Sequence, residues 1–136
     1  INRRQVKKPM LGLRRYFRHI SSRERGKTMR TFESLRDALH YRMTENPDHY
    51  FTDALWEEEV NFACTVLPKT IRFLWVECTD QELWCLGEVF DDIMEKTNSA
   101  EFLRVLRERA GKVTDPQQKE EIMNDICTAA TFLQDK

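Results

Sequence analysis

The sequence predicts an all-α protein, and three observations lead to this class. Apolar residues recur every three or four positions along most of the chain, which is the spacing of one face of an α-helix. Several of these segments begin at residues that favour helix starts, such as Thr79-Asp80-Gln81-Glu82. Only one short segment alternates as a strand would, and a lone strand has no partner for pairing. We therefore expect a compact bundle of about seven short helices.

The N-terminal third predicts an arm and two helices. Residues 1–11 are basic and show no apolar periodicity, so we expect a flexible basic arm ahead of a single all-helical domain over 12–136. Leu13, Phe17 and Ile20 give a helix over 12–21 its apolar side. A second stripe ends before the turn signal at Asn46-Pro47-Asp48 and consists of Phe32, Leu35, Leu39 and Met43.

The third helix, over 53–67, has apolar residues on two sides. Thr52 or Asp53 is the expected N-cap, and Pro68 is expected to end the helix. One stripe consists of Trp56, Val60, Ala63 and Leu67, and the other of Leu55, Phe62 and Val66. A helix that is apolar on two sides is typical of a central position with neighbours on both.

Residues 69–78 are the ambiguous segment. Ile71, Phe73 and Trp75 alternate as in a strand, whereas Ile71, Leu74, Trp75 and Cys78 have helical spacing. Because no second strand is predicted anywhere in the chain, we expect a helix here.

The last third carries the clearest helix boundaries. The capping box at Thr79 and Glu82 starts a helix with its apolar stripe at Leu83, Leu86, Phe90, Ile93 and Met94. A similar box from Asn98 to Glu101 starts the next helix, which Gly111 ends. Asp115-Pro116 starts the last helix, which continues to about Leu133. Stacked helical hairpins of the HEAT type remain the alternative arrangement.

No motif for catalysis, a cofactor or a metal is present. The sequence lacks GxSxG, HExxH and Gly-rich phosphate-loop patterns, and adjacent acid pairs diverge on a helix. The four cysteines form no CxxC pair, and the three histidines are not spaced as zinc ligands. We therefore expect a protein that is not an enzyme, with no cofactor and no metal, and with reduced thiols in an intracellular compartment, cytoplasm or nucleus.

The charge is divided sharply along the chain. Residues 1–42 hold thirteen Lys or Arg and three Asp or Glu, while residues 43–136 hold nine and twenty. Dense basic side chains suit phosphates or an acidic protein surface. The candidate residues for an anionic partner are Arg14, Arg15, Arg18, Arg23, Arg25, Lys27 and Arg30.

A second candidate site centres on Trp84. On one continuous helix its neighbours one and two turns on would be Glu88 and Asp91, away from the apolar stripe. An aromatic ring among acids is a suitable docking point for a partner's Arg or Lys. The competing interpretation is that another helix of the domain covers Trp84.

These observations favour a protein–protein adaptor or scaffold whose basic N-terminal segment makes charge-driven contacts. The alternatives are an RNA-binding or other nucleic-acid-associated protein that uses the same segment and, less favoured, a matrix-like domain on an anionic membrane surface. The pI of 6.4 argues against the nucleic-acid alternative, because such modules are usually basic. A homodimer through the basic and acidic halves is also compatible with the sequence.

Overall fold

The computed structural model describes residues 31–45 and 52–134, and every regular element in these ranges is helical. The predicted all-α class is confirmed. The α-helices are α1 (Leu35–Thr44), α2 (Thr52–Thr65), α3 (Leu67–Arg72), α4 (Asp80–Leu86), α5 (Phe90–Thr97), α6 (Ala100–Ala110) and α7 (Pro116–Ala130). A π-helical turn occupies Phe73–Glu77 and a 3-10 turn occupies Gly87–Val89. The helix expected over 12–21 lies outside the described residues, so the helix count and the choice between bundle and HEAT-type stacking stay predictions.

The described residues fall into two compact units that divide between Glu59 and Val60. In the first unit, the Ser34 hydroxyl caps α1 by accepting a hydrogen bond from the Asp37 amide. Arg42 and Glu59 form a buried two-point ion pair, with Nε–Oε2 and Nη2–Oε1 distances of 2.6 and 2.9 Å. This pair joins α1 to the first half of α2. The expected arm over 1–11 and the single domain over 12–136 stay predictions.

The second unit is built around α7, which packs against α4, α5, α6 and the 3-10 turn. Its core consists of side chains that helical spacing predicts to be buried. Those with no exposed surface or almost none are Leu83, Leu86, Phe90, Ile93, Met94, Phe102, Leu106, Ile122 and Ile126. The apolar stripes of these helices therefore meet each other, as amphipathic helices in a bundle require.

Helix starts follow the sequence closely, with one correction. The Thr79 hydroxyl accepts from the Glu82 amide at 3.1 Å and the Glu82 carboxylate accepts from the Thr79 amide at 2.9 Å, so the capping box is confirmed. The expectation that Asn98 caps the following helix is wrong. Asn98 ends α5 in the left-handed conformation with φ of 47°, and Ser99 caps α6. Asn tolerates this conformation better than most residues, which leaves the capping role to the next hydroxyl.

The predicted end of the third helix is also displaced. Helix α2 ends at Thr65, and Pro68 lies in the first turn of α3, where its missing N–H group has no partner to lose. Leu55 and Trp56 are buried as expected, but Val66 is 50% exposed and Leu67 is only half-buried. The last residue of each predicted stripe, Leu67 in one and Val66 in the other, therefore lies beyond the end of α2.

Candidate protein-binding site

The seven basic residues proposed for an anionic partner all lie outside the described residues. These are Arg14, Arg15, Arg18, Arg23, Arg25, Lys27 and Arg30. Their role as a charged binding segment stays a prediction.

Trp84 contacts another helix of its own unit. Its side chain is half-buried on α4, and the indole Nε1 donates a hydrogen bond to Glu121 Oε1 on α7 at 2.9 Å. The Gln117 amide donates to the second oxygen of Glu121 at 3.1 Å. The acid at the indole N–H is therefore Glu121, which no local pattern indicates because it lies 37 positions along the chain.

Glu88 and Asp91 do not follow Trp84 on one continuous α-helix. Glu88 lies in the 3-10 turn, and Asp91 lies in the first turn of α5, where its carboxylate accepts the Asp92 amide at 2.9 Å. The turn interrupts the 100° rotation per residue on which the expected acidic ring was based. Both side chains are half-buried, as is Trp84, and their shared role in protein binding stays a prediction.

A different tryptophan has the more exposed ring. Trp75 is 45% exposed and the adjacent Val76 is 63% exposed, both in the π-helical turn that extends α3. Pro68, Lys69 and Arg72 are exposed at preceding positions of the same helical face. We call these five side chains, together with Lys112 beside Trp75, the Trp75 face.

The π-helical turn explains why Trp75 points outward. The Cys78 amide donates to the Phe73 carbonyl at 2.8 Å, a bond that spans five residues where an α-helix would span four. The wider turn changes the rotation per residue, so that Phe73 and Leu74 are buried while Trp75, Val76 and Glu77 are exposed in succession. The helical interpretation of 69–78 is thus confirmed. The four residues with helical spacing do not form one buried stripe, however, because Leu74 and Cys78 are buried while Trp75 is exposed.

Two buried polar side chains fix the Trp75 face to the rest of the second unit. The Thr70 hydroxyl donates to the Ala63 carbonyl at 2.7 Å, which holds α3 against the end of α2. Arg109 on α6 donates through Nη2 to the Cys78 carbonyl at 2.8 Å, directly after the π-helical turn. The exposed side chains therefore project from a backbone that is anchored at both ends.

Arg109 also joins this backbone to the start of α4. Its Nη2 lies 2.9 Å from Asp80 Oδ1, and Asp80 Oδ2 accepts the Thr114 amide at 3.2 Å. Burial alone would raise the pKa of Asp80, but the hydrogen bonds from Arg109 and Thr114 together with the guanidinium charge hold that pKa below its usual value. Asp80 therefore stays ionised at neutral pH and keeps its ion pair with Arg109. We call the contacts of Arg109 with the Cys78 carbonyl and with Asp80 the Arg109 clamp.

One basic side chain contacts the exposed indole, and two more are exposed on the turn before it. The Lys112 ammonium lies over the Trp75 ring, 4.2 Å from its centroid, in a cation–π contact. Lys69 and Arg72 are exposed on the adjoining turn of α3, and Glu77 is the acid of the π-helical turn. A large aromatic surface and three cations thus lie together on one side of the second unit.

Two observations bear on metal binding and on thiol chemistry in the described residues. No group of three or more His, Cys, Asp or Glu side chains among residues 31–45 and 52–134 could hold a metal ion. Burial raises the pKa of the Cys64 thiol, which disfavours the thiolate that a nucleophile requires. Within the same ranges, no helix has the length and apolar character needed to cross a bilayer.

Helical spacing in the sequence did not identify Trp75 as an exposed binding residue, although the local composition contained an indication of it. Five of the six residues from Ile71 to Val76 are apolar, more than one helical face can bury. An excess of this kind requires either a neighbour on each side or an exposed apolar surface, and helical spacing alone does not choose between them.

Comparison of the chain with protein-family models, with curated proteins and with solved structures finds no match.

Proposed function

We propose that the protein is a non-enzymatic helical interaction module, an adaptor or scaffold, that binds another protein through the Trp75 face. The observation that carries this proposal is the pair of large apolar side chains, Trp75 and Val76, exposed next to each other on an anchored backbone. Exposed apolar side chains are ordinary when scattered, but a contiguous group with a polar rim is typical of interaction sites.

The residue types agree with this assignment. Tryptophan and arginine are enriched among the residues that contribute most to protein–protein affinity, and here Trp75 and Arg72 lie one helical turn apart. Because Thr70 and Arg109 hold the backbone on both sides, little ordering of the main chain would be needed on binding. A preorganised surface loses less conformational entropy when the partner binds.

Site-specific photo-cross-linking tests the proposal, and it does so even when the partner has not been identified. A benzophenone amino acid replaces Val76, which is exposed on the Trp75 face, and the protein is irradiated in cells of the organism that makes it. The matched control carries the same group at Glu101, an exposed position on α6. We expect a discrete protein adduct from position 76 and none from position 101.

The same experiment separates the alternatives. An adduct whose mobility changes after nuclease treatment would indicate an RNA partner. A third variant with the benzophenone at Asp91 examines the surface predicted around Trp84. Equal adduct patterns from positions 76 and 101 would refute the Trp75 face as a binding site.

A further inference from the structure

We infer that the Trp75 face binds an acidic segment of its partner protein, one that presents an apolar anchor flanked by Asp or Glu. This inference rests on the proposed function and adds the chemical class of the ligand. Its basis is the cation–π contact of Lys112 with the exposed Trp75, together with Lys69 and Arg72, which are exposed at preceding positions of the same helical face.

The charge of the Trp75 face is opposite to that of its unit. Residues 60–136 contain nine Lys or Arg and fourteen Asp or Glu, yet three of those nine cations gather here. Beyond about 10 Å the acidic remainder is screened at physiological salt, so a ligand at this surface responds mainly to the local cations. Local complementarity therefore favours an acidic ligand.

The cation–π contact defines how such a ligand fits. The Lys112 ammonium lies over the Trp75 ring, and Lys112 as a whole is exposed. A carboxylate that pairs with Lys112 brings the neighbouring side chain of the ligand toward Val76 and the uncovered part of the indole. An apolar residue next to an acid satisfies both contacts at once.

The same features favour a protein ligand over a single-stranded nucleic acid. Nucleic-acid surfaces combine cations with several aromatic rings on which successive bases stack. In the described part of the Trp75 face there is one ring, Lys112 lies over it, and the adjacent exposed side chains are Val76 and Pro68. Aliphatic neighbours suit an apolar side chain better than a stack of bases.

The test is a selection from a display library of random twelve-residue peptides against the full chain. The purified wild-type protein is the target, and the Trp75→Ala variant removes peptides that bind elsewhere. We expect enriched peptides to carry an aromatic or aliphatic residue with two or more Asp or Glu nearby. A labelled synthetic copy should bind at least about thirtyfold more weakly to Trp75→Ala, the loss of a hot-spot tryptophan.

Charge reversal tests the acidic character directly. The triple variant Lys69→Glu, Arg72→Glu and Lys112→Glu should lose affinity for the acidic peptide by about tenfold or more, and wild-type affinity should fall with added salt. The matched control is Arg104→Glu with Arg107→Glu, two exposed cations on α6 that do not belong to the Trp75 face as defined above. Circular dichroism of each variant confirms that the helical fold is retained.

The outcomes separate the inference from the function on which it rests. Enriched peptides that are neutral or basic, yet depend on Trp75, would refute the acidic ligand and leave a protein-binding surface. If no peptide is enriched over the Trp75→Ala control, both the acidic ligand and the Trp75 face as a protein-binding surface are refuted. Trp75-dependent binding of polyuridylate in preference to the peptides would assign the surface to nucleic acid instead.

Discussion

Replacement of Arg109 by Met removes the clamp that holds the π-helical turn and the start of α4 to α6. The Arg109 side chain is 10% exposed, and its guanidinium donates both to the Cys78 carbonyl and to Asp80. Met preserves most of the apolar length of the side chain, so the loss is chiefly one of hydrogen bonds and charge. The Trp75 face projects from the same backbone, which makes this a test of its anchoring.

The expected loss follows from the two contacts. A hydrogen bond that involves a charged group contributes about 1.5 to 3 kcal/mol, and a buried acceptor that loses its donor adds a desolvation cost. The Asp80 side chain is 29% exposed, so in the variant water replaces part of its contact with Arg109. We therefore expect Arg109→Met to lower the free energy of unfolding by about 2 to 4 kcal/mol.

Urea denaturation followed by circular dichroism measures this loss, and the chain supplies a matched control. Arg104 lies on the same helix, is 59% exposed and pairs with Glu108 four residues on. Such exposed pairs contribute little, so Arg104→Met should cost less than about 0.5 kcal/mol. Equal losses for the two variants would refute the clamp.

Four further outcomes are expected from single substitutions. Thr79→Ala should lower the free energy of unfolding by about 1 kcal/mol, because the Glu82 amide loses its capping hydroxyl, and an unchanged urea midpoint would contradict this. Phe90→Ala should cost about 3 to 5 kcal/mol, since the ring is fully buried, and a loss below about 1 kcal/mol would place Phe90 outside the core. Trp84→Phe should cost about 1 kcal/mol for the lost bond to Glu121, whereas an unchanged stability would leave the indole N–H available to a partner. Wild type should be more stable than Asp80→Asn by a constant amount above the ordinary Asp pKa of about 4, and this difference should shrink as pH falls through the lowered folded-state pKa of Asp80. A difference in the free energy of unfolding that is independent of pH between about 2 and 7 would contradict an ionised Asp80 in the clamp.

Helix starts were predictable because they depend on neighbours in sequence. At Thr79 and at Asp115-Pro116, the capping side chain and the amide that it satisfies lie three residues apart, so the local pattern contains the whole interaction. The buried stripe from Leu83 to Met94 was predictable for a similar reason. Its brief interruption by the 3-10 turn left all the apolar residues on the inner side.

The candidate site was less predictable because it depends on distant contacts and on helix phase. Arg109 meets the Cys78 carbonyl 31 positions away, and nothing around either residue indicates the pairing. Trp75 is exposed because one bond in its turn spans five residues, a shift that spacing rules for an α-helix do not include. The tryptophan chosen from the helical wheel, Trp84, is hydrogen-bonded to Glu121 within its own unit.

Trp75 and Val76 are proposed to serve binding and not folding, and one cross-linking measurement distinguishes these two roles. The photo-cross-linking group is placed at Lys69, on the same face, and adduct yield is compared with and without the double change Trp75→Ala and Val76→Ala. We expect the adduct to disappear while the free energy of unfolding from urea denaturation changes by no more than a surface substitution would, about 0.5 kcal/mol for each site. An adduct that persists in the double variant, or a loss of stability as large as that of a buried aromatic, would contradict the proposed role.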